Sequence, residues 1–125
     1  MTASRPHLWL AVILLAGCSN NTGPTAGVLN VTVASPHQDD GGIMLTVYGG
    51  PVDSVEAVGY VIHSARAADS VKMIVTGNLN SGVIARVHIP DGRQASRYTA
   101  QVKQAAARQT YVQRDPAGYT VSLAR

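Results

Sequence analysis

Phenylalanine is absent from the 125 residues, tryptophan occurs once, at Trp9, and aromatic side chains make up 5% of the chain. A core built from this sequence is therefore aliphatic, with tyrosine as its one sizeable ring. Cysteine is equally scarce. Cys18 stands alone, which excludes an internal disulfide and a Cys-pair metal site, so the fold must rest on its core. Charged residues are only 14% of the chain, and Glu56 is the single glutamate. Also missing are a Gly-x-Ser-x-Gly elbow, a His-Glu-x-x-His pair and a glycine-rich phosphate loop, which leaves the common motif-borne catalytic sites without a counterpart. These absences favour a protein that is not an enzyme and uses no cofactor.

What is present begins with the first eighteen residues. Arg5 and the free amino terminus give a positive start, and the run from Leu8 to Ala16 carries no charge. A membrane-spanning helix needs about 20 apolar residues, so this run is too short to span and has the length of a signal-peptide core. Directly behind it stands Leu15-Ala16-Gly17-Cys18, which resembles the lipobox of bacterial lipoproteins. The resemblance implies lipid transfer to the Cys18 sulfur and cleavage between Gly17 and Cys18, leaving Cys18 as a membrane anchor. At about 0.8 kcal/mol per buried methylene, two or three acyl chains hold a protein on a bilayer permanently. Ser19 follows, where an Asp in that family favours inner-membrane retention, so the expected address is the outer membrane. On this reading residues 1–17 are the signal peptide, 18–27 the lipidated cysteine and a flexible linker, and 28–125 the exported domain.

Residues 18–125 are enough for one modest domain and too few for two. Without Arg5 the ten basic residues become nine against seven acidic ones, a balance of +2. The distribution is uneven: Arg86, Arg93, Arg97, Lys103, Arg108 and Arg114 face only Asp91 over the same stretch. Residues 19–27 are small, polar and broken by Gly and Pro, the composition of a tether.

From Val28 onward the hydrophobic period is two. Leu29, Val31 and Val33 alternate with Asn30 and Thr32, and the pattern recurs at Ile43 to Val47, Val55 to Ser64, Val71 to Val75, Val83 to Ile89, Tyr98 to Val102 and Tyr119 to Leu123. Turn signals separate the runs, among them Asp40-Gly41-Gly42, Gly49-Gly50-Pro51, Pro90-Asp91-Gly92 and Asp115-Pro116-Ala117-Gly118. Seven to eight short strands with this punctuation predict an all-β fold, a small β-sandwich. Gln94 to Gln113 is rich in Ala, Gln and Arg and also fits a helix, but Tyr98-Thr99 and Val102 favour a strand at Tyr98 to Gln104 followed by a loop. The order of strands from Val28 to Leu123, including Gly41 to Val47, Val71 to Gly77, Gly82 to Ile89 and Gly118 to Leu123, is similar to the cohesin-like and immunoglobulin-like sandwiches of exported bacterial proteins. That resemblance implies the fold and no particular partner.

Two constellations are candidate sites. His37, Asp39 and Asp40, joined by His63 or His88, have the donor types of a zinc-like site, against which stands an ordinary loop between strands. Arg86, Arg97 and Lys103 are expected on a common face, where they would form a patch for an anionic envelope polymer; the alternative is a solvated surface that keeps the domain soluble. Nucleic acid is not expected as a partner at a membrane-anchored address. The leading expectation is a lipid-anchored, non-enzymatic binding or structural module of the cell envelope, whose partner is an envelope protein or polymer.

Overall fold

The computed structural model describes residues 23–125. Residues 1–17, Gly17, Cys18 and the start of the tether lie outside the described residues.

Nine strands follow one another among the described residues: β1 (Gly27–Ala34), β2 (Asp40–Tyr48), β3 (Ser54–Ala57), β4 (Val61–Arg66), β5 (Ser70–Leu79), β6 (Gly82–Ile89), β7 (Thr99–Ala107), β8 (Gln113–Arg114) and β9 (Thr120–Ala124). Two short 3-10 helices interrupt them, Gly92–Arg97 and Pro116–Gly118. The strands form two antiparallel sheets, one of four strands in the order β3-β6-β1-β9 and one of five in the order β4-β5-β2-β7-β8. The expected all-β sandwich is therefore the fold observed, with nine strands in place of seven or eight.

Period-two alternation places one set of side chains from each sheet between the layers. Leu29, Val31 and Val33 of β1 and Ala85, Val87 and Ile89 of β6 meet Ile43, Leu45 and Val47 of β2 and Val71, Met73 and Val75 of β5, all buried. Each such side chain contributes about 1.5–3 kcal/mol when removed from water. Tyr98 closes the core at one end, with its hydroxyl donating to the Pro51 carbonyl at 2.6 Å.

Three differences from the sequence reading have physical causes. The single run Val55 to Ser64 is two strands in different sheets, because Gly59 at φ +80 turns the chain from β3 across to β4. Asp40-Gly41-Gly42 is the start of β2 rather than a turn. Gly41 is dictated by packing, since a Cβ there would collide with the Arg108 backbone. In the stretch from Gln94 to Gln113, Gln94–Arg97 belongs to a 3-10 helix, β7 runs on to Ala107, and β8 returns at Gln113 where a loop was expected.

The two ends of the sandwich differ. Thr25 accepts from the Gly92 amide at 2.7 Å, so the segment ahead of β1, where the tether is expected, enters beside the Gly92–Arg97 helix. β1 runs from there to the opposite end, where residues 35–39, 108–112 and 115–118 form the connecting loops.

Candidate functional site

The two outer faces of the sandwich are unlike. On the four-stranded sheet the register sets Glu56 opposite Arg86, Arg86 opposite Asn30, and Ser54 opposite His88. Glu56 accepts from Arg86 at 3.4 Å and pairs with His88 Nε2 at 2.9 Å, while Arg86 Nε donates to Asn30 Oδ1 at 3.3 Å. The His88 hydrogen bond, followed by the Arg86 charge, holds the Glu56 carboxyl below its ordinary range. Thr32 and Ser122 continue this face, and the exposed Val28 and Val83 lie on it beside His88 and Thr32.

The outer face of the five-stranded sheet holds no carboxylate among its described strand residues. Reading across the strands, Val61, Thr76, Gly42, Ala106 and Gln113 form one row, and His63, Ile74, Met44 and Gln104 form the next. The first row is made of small side chains at its centre and the second of larger ones. The result is a trough that crosses the sheet at right angles to the strands. Strands lie about 4.8 Å apart, so the indented part of the row, from Thr76 on β5 to Gln113 on β8, is about 14 Å long.

Two adjoining concavities map this trough. One, of about 140 Å³, is lined by Gly42, Met44, Ile74, Gln104, Ala106 and Gln113. The other, of about 500 Å³, is lined by Gly42, Thr76, Gly77, Asn78, Arg108 and Tyr111 at the end away from the tether. Ile74 is 38% exposed, so the rim made by the row of larger side chains is apolar and open to solvent. Lys72 and Lys103 project from the same face below the trough, Lys103 with its ammonium 5.4 Å from the centroid of the exposed Tyr48 ring. Hydrogen bonding from Lys103 lowers the Tyr48 hydroxyl pKa from its ordinary value.

The far wall is the tip of the β7–β8 connection. Ala107 donates to Val112 and Tyr111 donates back to Ala107, and Tyr111 holds φ +55, the one positive value at a non-glycine position among the described residues. Such a conformation costs an ordinary residue about 1–2 kcal/mol, yet the Tyr111 side chain is 75% exposed and gains no compensating burial. Strain of this kind concentrates where a loop presents a side chain. Beside it Arg108 Nη2 donates to the Gln38 carbonyl at 3.3 Å, while its Nε is buried without an acceptor. A buried donor left unpaired costs about 1–3 kcal/mol.

The loop behind this wall is fixed by a buried carboxylate. Asp40, 1% exposed, accepts from the Tyr119 hydroxyl at 2.6 Å, from Arg114 Nη1 at 2.8 Å, and from the Ser35 hydroxyl. Arg114 also donates to Asp39 at 2.7 Å. That bond holds the Asp39 carboxyl below its usual range and raises the Arg114 guanidinium. Burial, then the bond to Asp40, raises the Tyr119 hydroxyl. The cluster ties β2 to β8 and β9, and so fixes Gln113 at the end of the trough.

Both sequence candidates are rearranged. His37, Asp39 and Asp40 do not converge with a second histidine: the carboxylates are engaged by Arg114, Tyr119 and Ser35, and His37 lies 6.1 Å from the Tyr119 ring. His63 and His88 are outward on different sheets, and no metal-competent group of acidic, histidine and cysteine side chains exists among the described residues. Arg86, Arg97 and Lys103 do not share a face either. Arg86 lies on the four-stranded sheet against Glu56, Lys103 on the five-stranded sheet, and Arg97 at the tether end, where it donates to Gln94 and lines a concavity with Asp69 and Asp91. Gly42, Thr76 and Ala106 were not singled out by sequence as site residues, whereas Arg108 and Tyr111 belong to the basic stretch read for an anionic partner. Two adjacent glycines at the head of an alternating strand were the available signal, since glycine there marks a bulge or a close backbone approach.

Comparison with known proteins gives no match to a family model, a curated sequence or a solved structure.

Proposed function

We propose that this chain is the precursor of a lipid-anchored, non-enzymatic binding module of the cell envelope, held at the outer membrane through Cys18. Its partner, an envelope protein or polymer, is met by the outer face of the five-stranded sheet. The observation that carries the binding reading is the indentation of that face, a concavity between Gly42, Met44, Ile74 and Ala106 with no carboxylate among the described strand residues around it. Exposed apolar area arranged as a concavity with a polar rim is the usual form of a recognition surface. The trough lies toward the end opposite the tether, which suits a domain that holds a partner away from a membrane. A second reading, an anionic partner bound through the basic half, draws on Lys103 and Arg108 rather than on Arg86 and Arg97.

The anchor has its own test. Cys18→Ser is expected to leave an uncleaved precursor without lipid, because the lipoprotein peptidase acts on the modified cysteine. Processing and detergent-phase partitioning equal to the parent chain would refute the anchor.

A further inference from the structure

We infer that the free edge of β4 docks a second copy of this chain, the two copies pairing β4 to β4 antiparallel so that their five-stranded sheets join. The inference goes beyond the reading of the trough and depends on neither the trough nor the anchor.

Four strands end the two sheets, and β4 is the longest of them, six residues against four in β3, five in β9 and two in β8. Sheet edges are ordinarily blunted by shortness, proline, a free charge or a bulge. β4 has none of these. It reads Val61-Ile62-His63-Ser64-Ala65-Arg66 and keeps unbroken register with β5, from Val61 against Thr76 to Arg66 against Val71. Its one formal charge is engaged, since Arg66 Nη1 donates to the carbonyls of Val52 and Asp53 in the β2–β3 connection.

The β4–β5 turn fixes which main-chain groups the edge offers. The Ala67 amide donates to the Ser70 carbonyl at 2.8 Å, which makes these two residues a hydrogen-bonded pair. Antiparallel pairs alternate between hydrogen-bonded and open. Counted back along the register, Ala65, His63 and Val61 therefore spend their N–H and C=O groups on β5, while Arg66, Ser64 and Ile62 turn theirs to the free side. No strand or loop main chain meets them there among the described residues.

This set has a centre, and the centre selects the occupant. A second β4 laid antiparallel with Ser64 opposite its own counterpart also sets each Ile62 opposite the Arg66 of the other copy. All of these are hydrogen-bonding positions, so six main-chain bonds form, whereas a two-fold axis one residue away, at His63 or Ala65, gives four. Side chains fit the same register. His63 stands beside Ala65 of the other copy and Val61 beside Ala67, large against small, and Val61, 58% exposed in the single chain, gains a neighbour. The two Arg66 residues lie about 13 Å apart along the strands, so no like charges meet. The contact is isologous, with its axis normal to the sheets. Copies tethered in one leaflet are related by an axis normal to the bilayer, so the proposed anchor permits the same pair with its sheets parallel to the membrane.

The experiment uses the full 125-residue chain as Cys18→Ser, free of its native thiol and of any lipid, in nonionic detergent. Sedimentation velocity over a concentration series is expected to show a monomer–dimer equilibrium. Ser64→Pro deletes the central donor on the open side and leaves the β5 ladder intact, and is expected to weaken association at least about tenfold with the circular dichroism spectrum and urea midpoint retained. Ser64→Cys tests the register. Directly opposed Cα atoms of a hydrogen-bonded pair are about 5.5 Å apart, within disulfide reach, so mild oxidation is expected to yield a covalent dimer. His63→Cys places the two thiols on a diagonal of about 8 Å and is expected to remain uncrosslinked. Should Ser64→Pro unfold, the two cysteine variants decide the question by themselves. A parent chain that stays monomeric, which would leave the edge to a strand of another protein, unchanged association in a folded Ser64→Pro, or equal crosslinking of the two cysteine variants would each overturn the assignment.

Discussion

Asp40 shows how much one residue organises here. Its carboxylate is buried and takes three donors from three different segments, Ser35, Arg114 and Tyr119. Removing it leaves the Tyr119 hydroxyl without its acceptor and Arg114 with only the exposed Asp39. Asp40→Ala is therefore expected to cost about 2–4 kcal/mol, discounted from the fully buried case because Asp39 and solvent keep some hold on Arg114. Tyr119→Phe, which removes one donor and leaves the carboxylate its other two, is expected to cost about 1 kcal/mol. Urea denaturation of the two variants checks both values and their order. The titrations set a further expectation. Burial raises the hydroxyls of Tyr98 and Tyr119, so the folded chain keeps those protons at a pH where the unfolded chain loses them. Stability from these groups is complete below the ordinary tyrosine value of about 10 and is lost as pH rises above it. Asp39, Glu56 and Asp91 are shifted the other way, chiefly by hydrogen bonds from Arg114, His88 and Arg93, so their contribution is present above the ordinary carboxyl range and lost as pH falls through the lowered values. A thermal-melt series should be level at neutral pH and fall at both extremes. Replacing Tyr98 and Tyr119 by Phe should flatten the alkaline limb alone.

At the scale of elements, glycine decides where strands end and where they approach. Gly59 has φ +80 with open space around its would-be Cβ, so Gly59→Ala meets only backbone strain and is expected to cost about 1 kcal/mol. Gly49, at φ +121, faces the Arg97 carbonyl and the Tyr98 backbone with no room for a side chain, so Gly49→Ala forces the β2–β3 connection away from the 3-10 helix. It is expected to cost about 3 kcal/mol or more, by strain and collision together. Denaturant midpoints of the pair test the distinction between strain alone and strain with collision; equal costs would contradict it. β7 carries a similar lesson for its side chains. Its register shifts opposite Met44 and Leu45, and the extra residue is Lys103, which the bulge sets over Tyr48. Strict alternation from Val102 sets Lys103 outward but Gln104 inward, whereas the bulge leaves both exposed.

For the whole molecule, the pairing pattern makes folding a long-range problem. β1 pairs with β9, setting Asn30 against Ala124, and with β6, setting Gly27 against Ile89. Closing such loops must precede the reward of the contacts, so refolding is expected in the range of milliseconds to seconds, as for other sandwiches, and not in microseconds. Stopped-flow fluorescence of the tyrosines measures this; a submillisecond phase carrying the full amplitude would contradict it.

The sequence by itself determined that the domain is all-β and built on an aliphatic core, because alternation with period two is a local property and each run declares its own buried face. It also favoured a strand over a helix at Tyr98 to Gln104 despite the Ala and Gln content, since Tyr, Thr and Val prefer a pleated surface, and the strand observed there is Thr99–Ala107. The lipobox reading, too, belongs to the sequence alone. What only the tertiary structure decided is which strands share a sheet and which side chains therefore share a row. Arg86 and Lys103 both point outward, as their alternation implies, but the sheets to which β6 and β7 belong send them to opposite sides. Thr76, Gly42 and Ala106 meet across a sheet although up to 64 positions of chain separate them, by a register that no local pattern encodes. The trough arises from that register, and so does the loss of the metal triad, whose carboxylates find Arg114 and Tyr119 from more than 70 residues away. Local chemistry fixes which face a residue shows, and only the pairing of distant strands fixes what stands beside it.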